Sequence, residues 1–145
     1  MPTVVAVRAG APYAVKVMDD LGNQWLADEP AENGGGNAGP SPSRLLLSSL
    51  GACTVITLQM YATRKKWSLS GIEVELRLDP SGKAADGTTE LTRHIKLHGD
   101  LNDEQRERLL HVANACPMHK VLTGRIRIDT ALATATDIHH QESQR

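Results

Sequence analysis

An α+β protein with mostly antiparallel sheets is the fold class this chain predicts, and three observations predict it. Short β-branched segments near the N-terminus are parted by turn residues. One long apolar stretch follows a loop rich in Gly and Pro, and an alternating segment around Ile72 precedes two further helical stretches. Strands and helices therefore come in runs, unlike the strict alternation of a parallel α/β sheet. A length of 145 residues suits one domain with a core of its own, so a single domain over residues 1–145 is expected.

Thr3, Val4, Val5, Ala6 and Val7 read as a first strand, punctuated by Gly10 and Pro12. Residues 13–18 return as a second, and Asp20-Leu21-Gly22-Asn23 turns the chain into a short third over 24–27. Residues 29–42 are dense in Gly, Pro and Asn, so nothing regular is expected there, only a loop of the longer kind that often carries function. Gly34, Gly36 and Gly39 satisfy G-x-G-x-x-G literally, yet Glu29 and Pro30 part them from the strand and two prolines precede the helix. Counting on about 20 residues reaches Gln59 and Tyr61, not the acid that would bind a ribose. The segment reads as a flexible loop.

A helix is expected over 43–66, capped by Ser41 or Ser43 with Pro42 at its entrance. Residues 45–63 carry no charge, close to the length that spans a bilayer. Ser48, Ser49, Thr54, Thr57, Gln59 and Thr63 interrupt that stretch, which suits the central buried helix of a soluble protein or dimer; no membrane association is expected. Ile72, Val74, Leu76 and Leu78 then alternate with Glu73, Glu75 and Arg77 as a half-buried strand. In the strand that answers it, Leu91, Ile95 and Leu97 share one face with Arg93. Asn102 and Gln105 have the spacing of a capping box, opening a helix through Ala115. Cys116-Pro117 restarts a short helix that Gly124 ends, Arg125-Ile126-Arg127-Ile128 alternates as a last strand, and residues 136–145 read as a polar tail. The order is βββ-α-ββ-α-α-β.

Composition narrows the chemistry. A net charge of −1, no Phe, two Trp and two Tyr leave neither an electrostatic footprint nor stacking platforms for nucleic acid, and no nucleic-acid partner is expected. The first residues lack a basic region followed by an apolar run, so a cytoplasmic location is expected. There a cysteine pair is catalytic, redox-sensing or metal-binding sooner than a structural staple. Cys53 sits inside the most apolar stretch, and Cys116 stands at a helix start, where free N–H groups and the helix dipole favour a thiolate. Two small buried hydrophobes are the alternative reading. Cys116 and His119 could supply two metal ligands and Cys53 a third, but no second spaced pair joins them. No metal is expected, and His119 reads as a group near the Cys116 sulfur. Arg8, next to Val7 on a strand, and Arg93, on an apolar face, are candidates to stabilise a thiolate because a guanidinium stays charged when buried.

Ala27-Asp28-Glu29-Pro30, Gly39-Pro40-Ser41-Pro42, Leu45-Leu46-Leu47-Ser48-Ser49-Leu50-Gly51-Ala52-Cys53-Thr54, Met60-Tyr61-Ala62 and Cys116-Pro117-Met118-His119-Lys120 resemble the OsmC/Ohr family of organic hydroperoxide reductases, most closely its OsmC-like branch. The resemblance covers nearly the whole chain. It implies antiparallel sheets around two long central helices in an interleaved homodimer, with active sites at the subunit interface. It makes Cys53 the peroxidatic thiolate and Cys116 the resolving thiol. Cys53 would attack an alkyl or lipid hydroperoxide to give an alcohol and a sulfenic acid. Cys116 would close the disulfide, and an external dithiol such as a dihydrolipoyl group would reopen it, with no bound cofactor. The family arginine matches Arg8, and an arginine is expected to lower the Cys53 pKa more than a helix start lowers that of Cys116. One departure stands out: Ser43 occupies the place of the family's arginine-holding glutamate, followed by Arg44. Asp28 or Glu29 would then replace that acid, or Arg44 would itself serve the thiolate. A non-catalytic redox-sensing or apolar-ligand-binding module is the rival reading.

Overall fold

The computed structural model of the chain describes residues 1–10 and 12–134. Its elements run β1 (Val4–Arg8), β2 (Val15–Asp19), β3 (Gln24–Ala27), a 3₁₀ turn (Ala31–Asn33), α1 (Pro42–Lys65), β4 (Ser68–Leu78), β5 (Leu91–Asp100), α2 (Asp103–Ala113) and α3 (Pro117–Thr123). Both sheets are antiparallel, one in the order β1-β2-β3 and one a β4-β5 pair, so the α+β expectation holds. The residues gather in two compact units, Met1–Pro42 with residues 126–134, and Ser43–Arg125.

The first unit is a meander. β1 pairs with β2 from Val4 opposite Asp19 to Arg8 opposite Val15, and β2 pairs with β3 from Val15 opposite Ala27 to Met18 opposite Gln24. The Asp19 carboxylate closes the second turn by accepting from the backbone of Leu21 at 2.9 Å and of Asn23 at 2.8 Å, the local bonding that suits Asp to turns. Past β3, residues 28–39 wrap around Asp28. Its carboxylate accepts from the N–H groups of Glu29 (2.7 Å), Gly36 (3.2 Å) and Ala38 (3.0 Å). Gly35 packs so closely on the Glu29 carbonyl that no side chain fits there. The loop expected to be flexible and wholly irregular is thus tied to a buried carboxylate and holds a 3₁₀ turn.

The last strand expected over residues 125–128 does not form among the described residues. Those residues take no regular structure, and Ile126 and Ile128 are 59% and 81% exposed. Alternation marks a strand only where a neighbour completes the ladder and a surface covers the apolar face. The polar tail expected over 136–145 lies outside the described residues.

The second unit is built around α1. Leu50, Thr54, Leu58 and Ala62 recur every fourth residue and form its buried stripe. Leu58 meets Leu101, Leu109, Val112 and Ala113, and Ile72, Ile95 and Leu97 of the hairpin pack against them. Leu58 and Leu109 are fully buried, and each such side chain stabilises the fold by roughly 2–3 kcal/mol. Gly51 lets α1 approach β4, because a Cβ there would stand 2.9 Å from Leu76 Cδ1. The expected capping box starts α2: Asn102 Oδ1 accepts from Gln105 N at 2.8 Å, and Gln105 Oε1 accepts from Asn102 N at 2.9 Å. Pro117 then begins α3, with Cys116 as its N-cap. By length and composition α1 could cross a bilayer, but its buried stripe is the core of this unit. Among the described residues one helix has that length, α1 with 24 residues, against 11 in α2 and 7 in α3.

Candidate functional site

Cys53 lies midway along α1 and is half-buried, whereas Cys116 is completely buried. The fold of the Ser43–Arg125 unit brings the two together, close enough for each thiol to shift the pKa of the other. Cys53 is one position before the buried Thr54, so it sits at the edge of the stripe that faces the hairpin, on the side that meets the start of α3. The Cys116 Sγ accepts the backbone N–H of His119 at 3.4 Å.

Arg93 stands behind this pair. It projects from β5 on the Leu91–Ile95–Leu97 face, as its register predicts, and three groups hold its guanidinium. Nη1 donates to Thr54 Oγ1 at 3.1 Å, Nη2 donates to Asn114 Oδ1 at 2.9 Å, and Nη2 lies 3.1 Å from His119 Nδ1. A guanidinium can only donate, so Nδ1 accepts and the His119 proton resides on Nε2. Thr54, fully buried, donates its hydroxyl to the Leu50 carbonyl at 2.7 Å and also lies near Cys116. The result is a line of polar groups, Arg93, Thr54, Cys116 and Cys53, threaded through an aliphatic core.

The surroundings act differently on the two sulfurs. Burial pushes the Cys116 thiol up, but the neighbouring Cys53 thiol, the His119 and Met118 N–H groups and the nearby Thr54 side chain outweigh it, and its pKa is lowered. Burial pushes Cys53 up, and the neighbouring Cys116 thiol raises it further; the Met118 N–H and Thr57 offset this only in part. The two shifts thus run in opposite directions, Cys53 up and Cys116 down, and no arginine is among the groups that lower Cys53.

The other expected site residues fall elsewhere. Arg8 belongs to the Met1–Pro42 unit, on β1, where it lines a groove of about 480 Å³ with Tyr13, Asp28 and Glu29. The Asp28 carboxyl is held below its usual range, chiefly by the Ala38 N–H, against its own burial and helped by the Glu29 and Gly36 N–H groups. Glu29 accepts from Asn33 Nδ2 at 3.2 Å. Arg44 and Ser43 are exposed in the first turn of α1, and Arg44 lies about 13 Å along the helix axis from Cys53. Sequence reasoning missed Thr54 and Asn114; a Thr inside an apolar helix gives no signal until its partner strand is placed. Among the described residues, no cluster of three or more His, Cys, Asp and Glu side chains is arranged to hold a metal. Beside Arg93 and His119 opens a cavity of about 210 Å³, walled by Leu50, Leu91 and Leu122.

The sequence pattern of the OsmC-like protein family matches residues 34–131. No curated protein sequence matches the chain. Among solved structures it resembles an OsmC-like protein from Mycoplasma pneumoniae (22% identity, 86% of this chain and 88% of that one, TM-score 0.70). It also resembles an organic hydroperoxide resistance protein OsmC from Legionella pneumophila (21%, 86% and 90%, TM-score 0.64). A third likeness is to the organic hydroperoxide resistance protein OhrB of Bacillus subtilis (24%, 86% and 92%, TM-score 0.59). At these identities the likeness establishes a shared fold.

Proposed function

Because the chain belongs to the OsmC-like protein family, we propose that its Cys53–Cys116 pair reduces organic hydroperoxides, using a dithiol as electron donor. The observation that carries this reading is the contact between a half-buried and a fully buried thiol, backed by Arg93. Cys53 is the sulfur a substrate can meet. Its attack on the distal peroxide oxygen breaks the O–O bond, releases the alcohol and leaves a sulfenic acid. Cys116 displaces hydroxide from that sulfur to form the disulfide, and a dihydrolipoyl-type dithiol returns both thiols by exchange. The aliphatic walls near Arg93 suit an alkyl or lipid substituent.

The protein acts in the cytoplasm as a homodimer. Leu46, Ile56 and Met60 on α1 are 43%, 53% and 60% exposed, an apolar face that a second copy would cover. By its place in the N-terminal strands Arg8 takes the part of the family arginine, and Arg8→Met tests that assignment. Ser43, standing where the reductases carry an acid, favours a second reading, a redox-sensing or apolar-ligand-binding module that oxidises slowly. Stopped-flow mixing with cumene hydroperoxide and dihydrolipoamide separates the two. Wild type consumes peroxide at least about a hundredfold faster than Cys53→Ser. Equal consumption by both would remove the enzymatic reading.

A further inference from the structure

The cavity of about 210 Å³ beside Arg93 and His119 has two unlike ends. Leu50, Leu91 and Leu122 form an aliphatic wall that suits any alkyl group, whatever molecule carries it. The polar end is more selective. All the lining residues belong to the Ser43–Arg125 unit, and neither cysteine is among them. We propose that this cavity binds a short aliphatic monocarboxylate, its carboxylate on Arg93 and His119 and its alkyl chain among the three leucines. Such a site stands whether or not the thiols reduce hydroperoxides.

The polar end offers donors and a positive charge. Arg93 spends N–H groups on Thr54 Oγ1 at 3.1 Å, on Asn114 Oδ1 at 2.9 Å and on His119 Nδ1 at 3.1 Å. Its Nε–H and second Nη1 hydrogen find no acceptor among the described residues. No carboxylate among those residues forms an ion pair with it. With Nδ1 accepting, the ring proton of His119 sits on Nε2, a further donor left without an acceptor among the described residues. No Asp or Glu lines the cavity, and Thr123 already donates its hydroxyl to the His119 carbonyl at 2.7 Å. A part-buried guanidinium with three neutral partners keeps its charge uncompensated. An anion that only accepts is the group that completes it.

The walls set the body of the ligand. An inorganic anion would leave the leucine surface wet, whereas an alkyl chain covers it. The volume is below the roughly 300–1,000 Å³ that drug-sized ligands occupy, so the chain is short. The larger groove beside Tyr61, about 540 Å³, lacks this selectivity, because Glu104 and Glu107 line it along with Lys65 and Arg108. Two sources supply a carboxylate on a short alkyl chain: a free acid, or the acyl end of a hydroperoxide substrate. The second source is where the site joins the peroxidase reading.

Calorimetric titration of the reduced full chain, with no peroxide present, tests the site with hexanoate, hexanol and acetate. Hexanoate binds once per chain. Hexanol, which lacks the charge, and acetate, which lacks the chain, each bind at least about tenfold more weakly. In wild type, magnetisation transfer in NMR links the hexanoate chain to the Leu122 methyls. Arg93→Gln weakens hexanoate at least about tenfold. Should that variant fail to fold, Leu122→Trp decides, because it fills the cavity without touching the Arg93 bonds, and it also abolishes binding. Hexanoate binding no tighter than hexanol overturns the proposal, as do NMR contacts lying only outside the cavity or undiminished binding by folded Leu122→Trp. Turnover then separates the sources. Hexanoate that raises KM for cumene hydroperoxide at constant kcat shares the substrate's place, and hexanoate that binds without altering turnover is a ligand in its own right. A chain that binds hexanoate yet consumes no hydroperoxide loses the peroxidase reading and keeps this site.

Discussion

Asp28 in one unit and Cys116 in the other are both buried, and both accept from backbone N–H groups, yet one is finished and the other is not. The Asp28 carboxylate spends its oxygens on three backbone N–H groups that belong to its own loop. Those donors cannot titrate or leave, so the charge serves to hold residues 28–39 in place. Cys116 takes the His119 N–H too, but its other close neighbour is a second thiol, a group that can surrender its proton. A buried polar group with fixed partners is architecture; one whose partners can move protons is available for chemistry.

Substitutions can break this contrast, and the largest effect is expected at Cys116. Cys116→Ser abolishes the internal disulfide, so under repeated hydroperoxide Cys53 proceeds to sulfinic and sulfonic acids, seen as mass increments on the intact protein. Asp28→Ala comes next and acts on stability alone. It lowers Tm by about 5 °C while leaving the pKa order of the two thiols, read by thiolate absorbance, unchanged. The sign of its pH dependence follows from the lowered Asp28 pKa. The stabilisation is complete above the ordinary carboxylate value near 4 and is lost as pH falls through the lower value of the folded state, so wild type and Asp28→Ala converge in strong acid. Glu29→Gln is the smallest, shifting Tm by no more than about 2 °C, since its bond to Asn33 is exposed.

Much of the frame is legible in the residues. The long helix expected over 43–66, the Asn102–Gln105 capping box and the third strand over 24–27 follow local rules that the fold obeys. Arg93 announces itself as the one charge on the Leu91–Ile95–Leu97 face, and Cys53 and Cys116 stand out by context. What escaped depends on neighbours distant in sequence. Thr54 acquires meaning only once β5 lays Arg93 against it. Asp28 looks like a spare catalytic acid until its loop closes over it. Ile126 and Ile128 have the spacing of a strand but no ladder among the described residues.

The account turns on the two thiols acting as one redox unit, and a single-turnover experiment meets that claim head on. Fully reduced protein is mixed with one equivalent of cumene hydroperoxide, and free thiols and intact mass are read together. Loss of both thiols with a mass two hydrogens lower, from an internal Cys53–Cys116 bond, is the predicted result. Both thiols surviving, or Cys53 oxidised while Cys116 stays free, would contradict it.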